Sequence, residues 1–188
     1  MKIEKVTVED AAELLSIYAP YVRETAITFE YDAPTLEEFQ NRIINISSKY
    51  PYIKAVKNGE ILGFAYADAF RERKAYDWSV ETTIYVKQGR HKMGIGRALY
   101  SELEKSLRDM GILNMNARIA VPVKEDERLT DASYRFHRKM GFAPVGRFHH
   151  IGYKFHTWYD IIWMEKMLGD HNDSPPEVQF GKWTVAEG

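Results

Sequence analysis

The sequence predicts one α/β domain. Its 188 residues are enough for a single domain, or for one domain with a short tail. Apolar residues make up 45% of the chain and charged residues 28%, a composition typical of globular proteins. The apolar pattern changes between a period of two, expected for strands, and a period near 3.6, expected for helices. Taken in order, these segments predict β-α-α-β-β-β-α-β-α-β-β.

The first part of the chain predicts a strand and two helices. Residues 3–8 alternate between apolar and polar side chains, which favours a short strand. Apolar residues between 14 and 22 lie on one helical face, and Pro20 is expected to end or kink that helix. Thr35 and Glu38 form a capping-box pattern at the start of a second helix.

A hairpin and a long strand follow. Residues 52–57 and 60–66 flank Asn58-Gly59, a dipeptide that supplies the two positive φ angles of a type I′ turn. Residues 75–86 predict a long strand that leads into a polar loop over 87–93. The remaining predicted elements are a helix that ends at Gly111, a strand over 114–121, a helix over 131–140 and strands over 142–151 and 158–167.

Charge and cysteine content exclude several classes of function. Lys and Arg total 26 against 27 Asp and Glu, so a broad basic surface for nucleic acid is not expected. The chain has no cysteine, which excludes disulfides, thiolate–zinc sites and a cysteine nucleophile, and fits a reducing cytosol. It also lacks an apolar signal core and any apolar run of about 20 residues. We therefore expect a cytoplasmic protein without membrane or nucleic-acid partners.

The last residues differ in composition from the rest. Residues 169–176 are rich in Gly, Asp, Asn, Ser and Pro, which is typical of a linker. We therefore divide the chain into a domain over residues 1–168 and a tail over 169–188. Phe180 and Trp183 could dock that tail, either as a contact between two subunits or as a lid over a substrate.

One glycine loop has the properties of a phosphate site. Gly94 and Gly96 lie where the long strand passes into a helix, so free backbone N–H groups and the positive end of the helix dipole meet there. The spacing fits neither the P-loop nor the dinucleotide fingerprint, and a plain strand–turn–helix connection is an equally open interpretation. Four basic side chains add local positive charge: Lys87, Arg90, Lys92 and Arg97.

Four motifs in the same order resemble the GNAT N-acetyltransferases, and in particular the phosphinothricin acetyltransferase subfamily. The resemblance covers about residues 1–167. The motifs are the strand Ala75-Tyr76-Asp77-Trp78-Ser79-Val80-Glu81-Thr82-Thr83-Ile84-Tyr85-Val86, the loop Gly94-x-Gly96, the helix Ser133-x-x-x-His137-x-x-x-Gly141-Phe142, and the strands Gly152-Tyr153-Lys154 and Trp158-x-Asp160. His91 and Thr130 depart from the subfamily, which usually has Gln or Arg and Asn at those places.

The resemblance implies a GNAT fold and an acetyl-CoA site. That fold has a mixed central sheet with helices on both faces and one splayed strand, whose gap takes the pantetheine arm of acetyl-CoA. The pyrophosphate is expected on the glycine loop. The residues implied in acetyl-CoA binding are Ile84, Tyr85, Val86, Arg90, His91, Lys92, Met93, Gly94, Ile95, Gly96, Arg97, Thr130 and Ser133.

The resemblance also assigns two catalytic residues. An ammonium group must lose a proton before it attacks a thioester, and Glu81 is implied as the base. The alternative is a solvated strand glutamate or an ordinary ion pair. His137 is implied near the sulfur, where it would assist departure of the thiolate in either protonation state. Its alternative is a packed histidine with a hydrogen-bonded ring nitrogen.

The resemblance places four residues at the substrate. Arg73 and Lys154 are implied in holding an anionic group, with Phe29 and Tyr76 beside them. Each is otherwise a surface charge or a core aromatic residue. Glu30 stands where several subfamily members have arginine, and its negative charge disfavours a doubly anionic substrate such as phosphinothricin.

We therefore expect an N-acetyltransferase that moves acetyl from acetyl-CoA to a small amino-acid-like amine. Phosphinothricin, methionine sulfoximine and methionine sulfone are the implied substrate type, with direct transfer in a ternary complex. Relatives of the subfamily imply a homodimer. The alternative is a non-catalytic acetyl-CoA sensor or interaction domain on the same fold. No metal is expected, because adjacent histidines such as His149 and His150 point to opposite faces of a strand and no nearby acid pair completes a site.

Overall fold

A computed structural model describes residues 1–185. Seven strands form one sheet in the order β1-β2-β3-β4-β5-β7-β6, with four helices around it. The strands are β1 (Lys2–Lys5), β2 (Tyr52–Lys57), β3 (Glu60–Ala69), β4 (Ser79–Val86), β5 (Asn114–Val121), β6 (Ala143–Lys154) and β7 (Thr157–Met167). The helices are α1 (Ala11–Glu24), α2 (Leu36–Ser47), α3 (Ile95–Asp109) and α4 (Ala132–Lys139).

The sheet is mixed, and one pair of strands separates. Neighbouring strands are antiparallel except β4 and β5, which are parallel. These two pair only at their first three residues, from Ser79 opposite Asn114 to Glu81 opposite Asn116. Beyond that point β4 follows β3 and β5 follows β7. The mixed sheet with a splayed strand is thereby confirmed.

Helices cover both faces of the sheet, as predicted. On one face Leu99, Leu103 and Leu107 of α3 are fully buried against residues such as Val80 and Met115 of the sheet. On the other face α1 and α2 cover the sheet, and Leu14, Ile17, Phe39, Ile43 and Phe64 are among the buried side chains there. No helix among residues 1–185 is long and apolar enough to cross a membrane.

Two local predictions are confirmed. Asn58 and Gly59 have φ angles of 54° and 79°, the two positive values that a type I′ turn requires. The Thr35 hydroxyl accepts the N–H of Glu38 at 3.2 Å, and the Glu38 carboxylate accepts the N–H of Thr35 at 2.7 Å. Both features depend on residues only a few positions apart, so the local sequence determines them.

The predicted strand over residues 75–86 is too long at its start. Residues Lys74–Tyr76 form a 3-10 turn, and β4 begins at Ser79. The partner strand β3 ends at Ala69, opposite Val80, so earlier residues have no ladder to join. Tyr76 therefore lies in a turn rather than in the strand.

Pro20 does not end its helix. Helix α1 continues for four residues beyond it, to Glu24. A proline inside a helix removes one N–H donor and costs about 3 kcal/mol. Burial on both sides of Pro20 offsets that cost, because Ile17 and Val22 are 2% and 0% exposed against the sheet.

The described part of the tail packs against the domain. Lys5 Nζ donates to the carbonyl of Trp183 at 2.8 Å and lies 4.3 Å from the centre of its ring. Trp183 is 7% exposed and belongs to the core on the α3 face. Phe180 contacts Tyr50 with a ring separation of 5.6 Å and is 37% exposed. The tail therefore docks on its own chain.

Replacing Trp183 with alanine should therefore destabilise the protein. The Trp183→Ala change removes a buried indole, and we expect the free energy of unfolding to fall by about 3 kcal/mol. Phe180→Ala is the matched control in the same segment, with an expected loss below about 1 kcal/mol because Phe180 is exposed. Urea denaturation of both variants measures the difference, and equal losses would contradict the docking of Trp183.

Candidate active site

Two adjoining cavities open where β4 and β5 separate. The larger has a volume of about 530 Å³ and is lined by both strands together with residues of α3, α4, β6 and β7. The smaller has a volume of about 360 Å³ and lies between the sheet and helices α1 and α2. Five residues line both cavities: Thr28, Phe29, Thr83, Tyr85 and Arg118.

Some of the predicted site residues meet at the larger cavity and others do not. Thr130 is exposed, and its hydroxyl accepts the N–H of Ala132 at 3.3 Å, away from both cavities. The predicted residues that line the larger cavity are Phe29, Glu81, Ile84, Tyr85, Ser133 and His137.

The last residues of β4 direct backbone groups into the gap beside β5. Lys87 donates its N–H to the carbonyl of Leu62 at 2.8 Å, which fixes the alternation of bonds between β3 and β4. The backbone groups of Ile84 and Val86 therefore face away from β3, toward β5. The Val86 carbonyl accepts the Tyr21 hydroxyl. Ile84 presents its N–H and C=O where the ladder between β4 and β5 has already ended.

The loop after β4 leads into the N-terminus of α3. Gly94 is the N-cap residue, with a left-handed φ of 79°. Ala98 donates the first helical hydrogen bond to the Gly94 carbonyl at 3.0 Å, so the N–H groups of residues 95–97 have no acceptor within the helix. A Cβ on Gly96 would lie 3.1 Å from the Phe136 ring, so glycine allows α3 and α4 to approach. This arrangement suits an anionic ligand.

The basic side chains of this loop are less free than the sequence indicates. Lys87 Nζ lies 2.6 Å and Arg90 Nη2 lies 3.5 Å from the carboxylate of Glu60. One acid therefore offsets part of the local positive charge. The other predicted side chains of the loop are exposed: His91, Lys92, Met93 and Arg97.

Glu81 lies where the two strands separate. Its side chain is 24% exposed, and its Oε1 lies 3.3 Å from Nε of Arg118. Because side chains alternate along a strand, Glu81 shares a face with Thr83 and Tyr85, the face covered by α1 and α2. The ion pair named as one alternative for Glu81 is present, and the carboxylate also lies on the cavity wall; the role as a base stays a prediction.

His137 is buried on the opposite face of the sheet, with 2% of its surface exposed. Its Nδ1 lies 2.8 Å from the carbonyl of Ser133, which can only accept, so Nδ1 carries the proton. Its Nε2 lies 2.9 Å from the Tyr100 hydroxyl and accepts a hydrogen bond from it. Burial lowers the pKa of His137 to about 4. The ring is therefore neutral at pH 7, and a protonated His137 is ruled out as the resting form.

Tyr100 is a site residue that sequence reasoning misses. It lies on α3 and lines the larger cavity, and its hydroxyl is 3.4 Å from Thr82 Oγ1 in addition to its bond with His137. Burial raises the pKa of Tyr100, so the hydroxyl keeps its proton. The only feature of the sequence that could have indicated Tyr100 is its place beside the apolar face of α3. A tyrosine at such a place is equally expected to be a core residue. Arg71 and Arg118 are likewise found only in the structure.

The Lys154 ammonium is bonded within the fold, which opposes the predicted role in holding an anionic group. Its side chain is buried, and its ammonium donates to the carbonyls of Val22 at 2.7 Å, Thr25 at 2.9 Å and Thr28 at 2.9 Å. These bonds use all three donors. Burial lowers the pKa of Lys154. Lys154 instead anchors the loop after α1, which carries Phe29.

The loop before β4 brings a different arginine to the site. Arg73 and Tyr76 are exposed and line neither cavity. Tyr76 lies in the 3-10 turn that replaces the start of the predicted strand, and Arg73 immediately precedes that turn. Arg71 lines the larger cavity instead. Its guanidinium lies over the ring of Phe70, 4.6 Å from the centre, and 6.0 Å from the centre of the Trp163 ring. Arg71, and not the predicted Arg73, is therefore the arginine of this loop that lines the larger cavity.

Phe29 lies on the wall that the two cavities share, where the sequence predicts it. Its ring centre is 6.2 Å from that of Tyr159. The ring also lies directly against Gly152, where a Cβ would overlap with it. The glycine of the Gly152-Tyr153-Lys154 motif is therefore needed to seat this aromatic ring.

The described residues show no cluster of three or more metal-ligating side chains. His149 and His150 lie within an irregular part of β6, where the register with β7 shifts between Phe148 and Gly152. His150 has a positive φ of 49°, so simple alternation of side chains does not apply to this pair.

Acid should destabilise the protein through His137. The pKa of His137 is about 4 when folded and near 6.5 when unfolded, so the unfolded state takes up the proton first as pH falls. The histidine adds no penalty above pH 6.5, and between pH 7 and 4 the free energy of unfolding should fall by roughly 3 kcal/mol because of it.

Urea denaturation at both pH values measures this loss. A His137→Gln variant should lose about that much less between pH 7 and 4 than the unmodified chain. His149→Gln is the control at an exposed histidine and should behave as the unmodified chain does. An equal acid loss in His137→Gln would contradict the neutral, buried form.

Known proteins with similar sequences and structures share this architecture. A family model described as an acetyltransferase (GNAT) domain matches residues 3–163. A phosphinothricin N-acetyltransferase from Streptomyces coelicolor is 37% identical over 164 residues, which cover 85% of this chain and 92% of that protein. An L-methionine sulfoximine/L-methionine sulfone acetyltransferase from Salmonella typhimurium is 30% identical over 122 residues, 65% of this chain and 67% of that protein.

A solved structure extends the likeness to three dimensions. The crystal structure of a GNAT superfamily phosphinothricin acetyltransferase from Sinorhizobium meliloti, in complex with AcCoA, has a TM-score of 0.85 and 30% identity. The match covers 97% of this chain and 96% of that one. The matches in sequence and in structure therefore agree. This chain belongs to the GNAT acetyltransferase family and is an acetyl-CoA-dependent N-acetyltransferase.

Proposed function

We propose that the chain acetylates the α-amino group of a small amino acid of the phosphinothricin, methionine sulfoximine or methionine sulfone type. The observation that carries this proposal is the position of Glu81, a carboxylate on the wall of the cavity at the β4–β5 gap. The names of the two relatives above state those substrates for those proteins. Family membership favours this catalytic role over a non-catalytic sensor.

The residues around the gap fit acetyl-CoA. The N–H groups of residues 95–97 and the exposed Lys92 would hold its pyrophosphate, and Gly96 keeps that end of α3 clear of side chains. The backbone of Ile84 and the N–H of Val86 would bond the pantetheine arm beside β4. When bound, acetyl-CoA supplies an acetyl thioester that an amine can attack.

Glu81 serves as the base in this proposal, directly or through a water molecule. It accepts a proton from the substrate ammonium, which leaves a neutral amine as the nucleophile. Arg118, 3.3 Å away, holds the carboxylate at the cavity wall. Because the chain has no cysteine, an acetyl-cysteine intermediate is excluded, which supports direct transfer in a ternary complex.

Tyr100 and His137 act together on the opposite face. His137 is neutral and uses both ring nitrogens, so it is a positioning residue that holds the Tyr100 hydroxyl at the cavity. That hydroxyl keeps its proton and donates a hydrogen bond to Nε2 of His137 in the resting protein; as negative charge develops on the departing thiolate, the same O–H would turn from Nε2 to the sulfur and donate there instead. The role that the sequence assigns to His137 alone is thus shared with Tyr100.

Arg71 is the partner for the substrate carboxylate. It lines the larger cavity, and among residues 1–185 no carboxylate forms an ion pair with it. A guanidinium binds a carboxylate through two parallel hydrogen bonds, which would orient the neighbouring α-amine.

We also propose that the chain is a cytoplasmic homodimer. The absence of cysteine supports a reducing compartment. The edge strand β6 supports association with a second copy, because its apolar side chains Val145, Phe148 and Ile151 are 60%, 53% and 57% exposed. Phe148 and Ile151 also line the larger cavity, so a second copy at this edge would cover its mouth.

A thiol-release assay with acetyl-CoA and a panel of amino acids tests the proposed reaction. We expect turnover with at least one of methionine sulfone, methionine sulfoximine and phosphinothricin. Glu81→Gln should lower kcat by about 100-fold or more, because the amide cannot take up the proton of the substrate ammonium. Asp68→Asn is the matched control, since Asp68 lies opposite Glu81 on β3 but lines neither cavity.

Unchanged turnover in Glu81→Gln would remove Glu81 as the base. Tight acetyl-CoA binding without thiol release from any amine would contradict the proposed function and favour the sensor.

A second comparison tests the carboxylate partner. Arg71→Gln should raise KM for the amino acid by about tenfold or more with a smaller change in kcat, because it removes a bidentate contact to a group that does not react. Arg73→Gln, two residues away on the exposed turn, should leave KM unchanged. Steady-state kinetics of both variants show which arginine binds the substrate carboxylate. A larger rise in KM for Arg73→Gln than for Arg71→Gln would favour Arg73, as predicted from the sequence.

A further inference from the structure

The smaller cavity has an ion pair in its wall. Glu30 Oε1 lies 2.7 Å from Nη1 of Arg42, and both residues line this cavity. The rest of the wall is mainly aromatic, with rings from α1, α2 and the sheet that include Tyr18, Phe39 and Tyr85. A substrate side chain that enters the smaller cavity from the larger one would therefore meet aromatic rings and the Glu30–Arg42 ion pair.

The loop that carries Glu30 is held independently of this ion pair. The Lys154 ammonium bonds three carbonyls of the segment, the last of them that of Thr28. The Thr28 hydroxyl is also 3.1 Å from the hydroxyl of Tyr18. Arg42 lies on helix α2, which has its own capping box at the N-terminus. Both partners are therefore set in fixed positions, and either charge can be removed without removing the wall.

The charges around the two cavities are nearly balanced. Glu30 is paired with Arg42, and Glu81 with Arg118 at 3.3 Å. Of the charged residues that line the cavities, Arg71 alone has no ion-pair partner within the described chain. One substrate carboxylate would neutralise Arg71. A second negative charge on the substrate would find Arg42 already neutralised, with Glu30 beside it as a repelling charge.

We propose that the Glu30–Arg42 pair makes the smaller cavity select an uncharged substrate side chain. The inference rests on the proposed function and narrows its substrate class to amino acids with an uncharged side chain, whether polar, as in a sulfone, or apolar. Substrates whose side chain carries a negative charge are disfavoured for two reasons. Glu30 repels such a side chain, and it already pairs with Arg42, the cation that would otherwise bind it. Both side chains are partly exposed, at 34% and 44%, so solvent moderates the discrimination to about tenfold.

Methionine sulfone and phosphinothricin form a matched pair for the test. Both carry a methyl group and two oxygens on a tetrahedral sulfur or phosphorus at the same place, and the phosphinate adds one negative charge. The unmodified chain should show a kcat/KM about tenfold or more higher for the sulfone. Glu30→Gln frees Arg42 and should reduce this ratio by about tenfold, mainly through faster acetylation of phosphinothricin.

Two further variants give the direction of the effect. Arg42→Gln leaves the Glu30 charge without its partner, so the ratio in favour of the sulfone should rise. Glu37→Gln removes an exposed carboxylate from the first turn of the same helix, away from both cavities, and should leave the ratio unchanged. If the ratio of kcat/KM falls in Glu30→Gln and rises in Arg42→Gln, a general loss of structure is excluded as the cause, because it would not move the ratio in opposite directions.

Isothermal titration of the two ligands into the CoA-bound protein separates this inference from the reaction itself. A preference for the sulfone that shrinks in Glu30→Gln supports the inference, even if no acetyl transfer occurs and the proposed function fails. Acetylation of both compounds at equal kcat/KM, or a ratio that Glu30→Gln does not move, would overturn the inference and leave the proposed function standing. If neither methionine sulfone nor phosphinothricin binds, both the inference and the proposed function are overturned.

Discussion

The separation of β4 from β5 is the constraint on which the candidate site depends. Each strand is held by its other neighbour, β4 by β3 over seven residue pairs and β5 by β7 over eight, so each follows that neighbour where the two separate. The backbone of Ile84 is left facing the gap, where an unpaired polar group is costly unless water or a ligand bonds it. The same gap joins the two faces of the sheet, with Glu81 on one side and Tyr100 on the other.

Features with local causes are predictable from the sequence. The turn at Asn58-Gly59 and the helix start at Gly94 follow from φ angles that few residues adopt, and both are found as predicted. The order of strands and helices follows from apolar periodicity in the same way. Glu81 is found on a cavity wall because two-residue alternation, combined with the family resemblance, places it beside the splayed gap. Its role as a base remains a prediction.

Features that depend on contacts between distant residues are not predictable in this way. Lys154 bonds carbonyls that precede it by 126 to 132 residues, so no local pattern indicates that its ammonium is used up inside the fold. Arg71 rather than Arg73 lines the larger cavity, and the path of this loop depends on tertiary pairing: β3 ends at Ala69, opposite Val80, so the residues before β4 have no partner strand. Tyr100 has the sequence pattern of a core residue, and only its distance to His137 distinguishes it.

The docking of the tail has a consequence for how the protein unfolds. Strand β1 is an edge strand of four residues with a partner on one side only, an arrangement that opens readily when nothing covers it. The contact between Lys5 and Trp183 ties this strand to a segment 178 residues later in the chain. We therefore expect β1 and the segment around Trp183 to open together. Amide exchange in β1 would therefore report the opening of the C-terminal segment.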